Sequence, residues 1–335
     1  MRSGLAVSRR DDLVVAAVTV AALGVMATNA AAAPAQAPWI WVGWAAAIPF
    51  LLLLSPSVES WLRARVVAAP ALRVRVPAAL VVIGLVAALA SGTVSWWRVA
   101  LWPLCIAGAV VAVDGVRTDE YGGGRLVAGA LALGLAAGAW DRSFKIAVPG
   151  GTSMGFTFLT AVALALFLYR VVRPLRTLDV RAALSRRELL LALAAAAAVA
   201  IVALPAGFAT GFLVFNPKWH GVAHAAAKLL GLVVFVGVPE ELLFRGLIQE
   251  GLSRLRGPRT GWIAASLLFG LTHITKPTGL PPAVDHALRL NWRYALLAAI
   301  AGLAYGWVYR RTGKVSASAL THGAVNWLWS TYFGR

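Results

Sequence analysis

Apolar residues run through this chain in long blocks, broken by short stretches that carry arginine. The blocks cover residues 13–33, 39–54, 77–91, 99–113, 126–140, 154–169, 189–215, 225–253, 261–274, 294–309 and 315–333. A helix that crosses the hydrocarbon core of a bilayer needs about 20 mostly apolar residues, within a range of roughly 17–25. The pattern therefore predicts an all-α fold: a polytopic membrane bundle of about eleven transmembrane helices. The block at 39–54 also suits a re-entrant or interfacial piece.

Loop charge gives the orientation. With the N-terminus inside and each block switching sides, the inner segments hold 21 of the 31 basic residues and the outer ones nine, with Arg245 inside a block. That bias follows the positive-inside rule and predicts an N-in, C-out arrangement. The run ATNAAAAPAQA after 13–33 resembles a signal-peptide cleavage region. The run before it is long for a signal peptide and more blocks follow, so an uncleaved first span is expected.

Composition removes whole classes of function. The chain has 335 residues, 60% hydrophobic and only 13% charged, with a mean hydropathy of +0.77. Soluble domains carry about twice that share of charge. The net charge of +18 would suggest nucleic acid in a soluble protein; here the arginines sit between apolar blocks, so no nucleic-acid partner is expected. The single cysteine, Cys105, cannot form an internal disulfide and gives no basis for redox chemistry. Many of the fourteen tryptophans lie at block ends, as Trp39, Trp41, Trp96, Trp97, Trp140, Trp327 and Trp329 do, where they read as interfacial anchors.

The polar segment 170–188 separates two parts of different character. Few ionisable groups lie inside the blocks of residues 1–170. Residues 216–335 place Glu240, Glu241, Arg245, His273, His322 and Asn326 inside theirs, and hold all five histidines. The expected organisation is an N-terminal set of membrane helices of unassigned role (1–215) and a functional core (216–335). Charged groups in hydrocarbon cost at least about 2.5–3.5 kcal/mol each on insertion scales, so such a cluster marks a site.

Spacing assigns first roles. Glu241 and Arg245 are four apart on a helix and can neutralise each other. Glu240 points elsewhere and is left to face a wet cavity. Phe269 and His273 share one face, and so do His322 and Asn326. Counted from the nearest inner basic residues at 1.5 Å per residue, Glu240 and His273 each lie about 21 Å deep, and His322 and Asn326 about 12 and 18 Å. The groups can meet in one cavity. A glutamate and a histidine can activate water, and a histidine with an asparagine can donate to an oxyanion. The same Glu240, His273 and His322 also suit a catalytic zinc with an open position. Spacing alone does not decide between the two.

The segments EELLFR, FGLTH and HGAVN, in this order, resemble the three motifs of the CPBP family of intramembrane proteases. That family includes the CAAX prenyl endopeptidases and bacterial bacteriocin-processing proteins. Its pattern of EExxxR, FxxxH and HxxxN is met in full over about residues 220–333. The resemblance implies Glu240 as catalytic base, His273 as its partner in activating water, and His322 and Asn326 as oxyanion donors. Glu241, Arg245 and Phe269 fall on supporting positions. It also implies a metal-independent mechanism, so no cofactor is expected. The implied substrate is a protein or peptide with a membrane-associated C-terminal segment, and the arginine-rich, alanine-heavy sequence suggests a bacterial inner membrane. A rival reading is a non-catalytic membrane protein, either a proton-coupled transporter or an immunity or scaffold partner. Transporter folds usually show paired repeats with broken helices, which are not visible here. Outside the motifs, His220 and His224 are spaced to share a metal, and the 275–293 loop with Asp285 and His286 is placed to cap the cavity on its outer side.

Overall fold

The computed structural model describes residues 2–32, 47–91, 96–114, 121–138, 145–148, 152–276 and 290–333. Helices form over ten of the apolar blocks and also over residues 56–68, which lie between blocks. They are α1 (Arg2–Ala32), α2 (Pro56–Ala68), α3 (Leu72–Ser91), α4 (Trp96–Asp114), α5 (Gly123–Gly138), α6 (Phe156–Leu166), α7 (Arg186–Ala209), α8 (Val222–Arg256), α9 (Pro258–Leu271), α10 (Trp292–Thr312) and α11 (Val315–Tyr332). Of the 39–54 block, residues 47–52 are helical, and 39–46 lie outside the described residues. One short antiparallel hairpin, β1 (Lys145–Val148) with β2 (Thr152–Gly155), departs from the all-helical expectation.

By length and apolarity, three described helices suit a bilayer crossing: α4, α7 and α8. A fourth candidate is α2 with α3 through Val86, bent by 114° at the break. On α7, Leu190, Leu193, Ile201 and Val202 are exposed. An apolar face of that kind suits lipid rather than water. The protein is an integral membrane protein.

The chain divides into two compact units, Met1–Ala183 and Leu184–Arg335. In the first, some polar groups are paired across long sequence distances. Asp12 accepts from Ser55 Oγ at 2.6 Å and Ser57 Oγ at 2.5 Å, fixing the start of α2. Glu59 pairs with both Arg63 and Arg170, and Arg63 Nε donates to the Arg170 carbonyl at 2.6 Å.

The second unit holds α7 to α11. Its first helix starts on a reciprocal cap: Glu188 N–H donates to Ser185 Oγ while Ser185 N–H donates to Glu188 Oε2 at 2.7 Å. This arrangement satisfies two otherwise orphaned amides. Because α7 packs on α10 and α11, the unit begins well before the first polar-bearing helix.

The centre of this unit is a close approach of α8 and α11. A Cβ added to Gly237 would lie 2.6 Å from the Ala319 carbonyl oxygen, and one added to Gly323 would lie 2.9 Å from the Val233 backbone. Small residues let helix backbones approach this way in membranes. Gly237→Ala should therefore push α8 from α11 and cost about 1–3 kcal/mol. Thermal denaturation of the purified protein in detergent is the check, and an unchanged midpoint counts against this account.

Candidate active site

Helix α8 is not a regular α-helix. Residues Leu232–Gly237 and Leu242–Gln249 form wide π turns around a short α segment, Val238–Glu241. Pro239 supplies a reason for the first. A proline inside an α-helix clashes with the carbonyl four residues back; here the Val238 N–H reaches Val233, five back, and the wider turn makes room. Wide turns of this sort are frequent at functional sites.

The two adjacent glutamates part ways at this point. Glu241 is fully buried. Its Oε2 accepts from Arg245 Nε at 2.8 Å and Ser318 Oγ at 2.5 Å, and its Oε1 lies 2.9 Å from His322 Nδ1. The Glu240 side chain keeps 20% of its exposure, and His322 Nε2 stands 3.9 Å from its Oε2. It lines a cavity of about 270 Å³ together with His273, Tyr294, Tyr305, His322 and Asn326. Three sequence-separated motifs thus meet on one wall, Glu240 from α8, His273 from the turn after α9, and His322 with Asn326 from α11.

Packing fixes the two imidazoles. His322 is stacked on Tyr305 at 4.6 Å and 14°, with the Phe269 ring edge-on at 5.6 Å. Its Nδ1 faces the Glu241 carboxylate, so that nitrogen carries a proton, and Nε2 turns to Glu240 and the cavity. His273 Nδ1 lies 2.9 Å from the Phe269 carbonyl oxygen, which can only accept. That leaves the lone pair of His273 on Nε2. Its ring meets Tyr294 edge-on at 4.6 Å. Phe269 thus contacts both histidines and also lies 5.5 Å below the Arg245 guanidinium.

Several residues that position the site carry no motif. Asn291 is one: its backbone N–H donates to Ile274 and its side chain to Lys276, while its Oδ1 accepts from Tyr294 N–H. One buried asparagine thereby ties the His273 turn to the start of α10. Tyr305 and Ser318 act on His322 and Glu241 as described. A signal existed only for Ser318, a polar residue four before His322 on the same helix face.

The Glu241–Arg245 pair forms as its spacing predicts, but the neutralisation is one-sided. Glu241 has three partners. Among the described residues Arg245 uses only Nε, and its buried Nη1 and Nη2 have no hydrogen-bond partner. Among the described residues, no three His, Cys, Asp or Glu side chains are grouped to hold a metal ion. His220 and His224 do meet, with ring centroids 5.2 Å apart, but both are exposed. Asp285 and His286 lie outside the described residues.

Residues 222–328 match the family model described as type II CAAX prenyl endopeptidase Rce1-like. The matched segment contains Glu240, Glu241, Arg245, Phe269, His273, His322 and Asn326. The match spans about a third of the chain, and over that segment the chain is similar to the CPBP/CAAX proteases. Comparison with curated proteins and with solved structures gives no match.

Proposed function

We propose that the chain is an intramembrane endopeptidase in which Glu240 activates a water. The substrate is the C-terminal or membrane-embedded segment of another protein or peptide. The observation that carries this reading is the shared cavity, where Glu240, whose ion-pair contact among the described residues is His322 Nε2 at 3.9 Å, stands among His273, His322 and Asn326.

Glu240 takes a proton from water as its oxygen bonds to the scissile carbonyl carbon. His273 Nε2 accepts the water's second hydrogen bond and orients the attack. The carbonyl oxygen becomes an oxyanion and accepts from the Asn326 side-chain amide and from His322 Nε2. For Nε2 to donate, His322 must carry both ring protons, and Glu241 and Glu240 flank it as counter-charges. Protonated Glu240 then gives its proton to the leaving amine as the C–N bond breaks. Burial by Tyr294, Tyr305 and Phe269 limits the competing water and strengthens each electrostatic contact.

The test compares the C-termini of membrane proteins in cells with and without the chain, with the Glu240→Gln variant as control. Shortened C-termini present only with the unaltered chain support the reading; no difference argues for a transporter or a scaffold. A second expected result concerns metal. Extensive chelation of the purified protein should leave activity intact. Activity lost with a stoichiometric zinc and restored on readdition would move the assignment to zinc chemistry.

A further inference from the structure

The two ends of the second unit differ in charge and in access. Arg186 and Arg187 open α7, Arg254 and Arg259 flank the α8–α9 turn, and Arg311 and Lys314 flank the α10–α11 turn. These three places form one end. Lys314 Nζ pairs with Glu188 Oε2 at 2.9 Å, and the Arg310 guanidinium lies over the Trp262 ring of α9 at 5.2 Å. At the opposite end, Lys218 N–H in the loop before α8 donates to the Thr331 carbonyl near the end of α11.

The cavity belongs to that opposite end. Toward the arginine end lie Glu241, Arg245, Gln249 and Ser318, each at most 1% exposed and none of them on the cavity lining. Toward the other end the lining reaches Lys276 and Ser330. Lys276 is exposed and Ser330 half-buried, so the opening lies there.

Charge then assigns the ends to sides of a membrane. The segment 170–187 that leads into α7 carries six arginines, whereas the loop 210–221 after α7 carries one basic residue, Lys218. Basic residues close to a span's ends hold that end in the cytoplasm. The arginine end is therefore the cytoplasmic one.

We infer that the active-site cavity opens on the side of the membrane away from the cytoplasm. The substrate class is then a polypeptide tail presented at that outer face, such as the C-terminal anchor or sorting tail of an exported protein. The word substrate rests on the proteolytic reading above; the sidedness does not.

The chain suits a cysteine-accessibility test, because its one native cysteine, Cys105, is buried. Lys218→Cys, Ser330→Cys and Arg311→Cys are made singly in a Glu240→Gln background and produced in a bacterial host. Right-side-out spheroplasts are treated with a membrane-impermeant maleimide, before or after lysis. Lys218→Cys and Ser330→Cys should label in intact spheroplasts, and Arg311→Cys only after lysis. Labelling of Ser330→Cys from the Arg311 side, or from neither side, overturns the inference. Because this background lacks the proposed base, the result is read without any cleavage, and a failed proteolysis assay leaves it unaffected.

Discussion

Glu240→Gln is expected to lower proteolysis by at least about 100-fold, the usual contribution of a general base, while the protein still inserts and folds. Glutamine keeps the size and the cavity wall. It cannot take the proton that must leave water as the new C–O bond forms. The stability side of this expectation comes from geometry. Among the described residues the ion-pair contact of Glu240 is His322 Nε2 at 3.9 Å, and Glu241 still faces that ring at 2.9 Å, so little is left unpaired when the Glu240 charge is removed. The measurement is turnover of a cleavable tail by purified protein, alongside its thermal midpoint in detergent. Full activity in a folded Glu240→Gln protein would falsify the mechanism.

The separation of the two glutamates shows what the sequence makes readable. Four-residue spacing paired Glu241 with Arg245, and that ion pair is present at 2.8 Å. Helix-face and depth arguments brought Glu240, His273, His322 and Asn326 toward one place, and all four line one cavity. The positions of the apolar blocks also translate into helices, because a long apolar run can satisfy its backbone in lipid only internally.

What was not readable depends on departures from regular geometry and on contacts between helices. A period of 3.6 residues carries no sign of the π turns at Leu232–Gly237 and Leu242–Gln249, since they change backbone partners without changing apolarity. The stack of Tyr305 on His322 and the bridge from Asn291 to the His273 turn join segments that have no shared periodicity. His273 was expected within a helix; it lies in the turn just after α9, held by a bond from its own N–H to the Gly270 carbonyl. The β1–β2 hairpin consists of four-residue strands, too short to show alternation against an apolar background.

The bond between Glu241 and His322 changes what Glu241 variants should do. Spacing alone made Glu241 and Arg245 a mutual neutralisation, with equal losses when either is removed. The structure makes them unequal. Arg245→Met leaves Glu241 with Ser318 Oγ and His322 Nδ1. Glu241→Leu leaves the Arg245 guanidinium buried with no hydrogen-bond partner at Nε, Nη1 or Nη2. Stranding one member of a buried pair costs about 3–5 kcal/mol, so Glu241→Leu should fall near the top of that range and Arg245→Met below it. The double variant removes the Glu241 and Arg245 charges together and should recover much of the stability. It should not recover activity, because nothing then holds the His322 ring by its Nδ1. A misplaced catalytic group costs on the order of 100-fold. A double-mutant cycle that follows thermal stability and turnover together separates the two effects. A double variant both stable and fully active would mean that Glu241 only neutralises Arg245 and that His322 is positioned by its stack on Tyr305 alone.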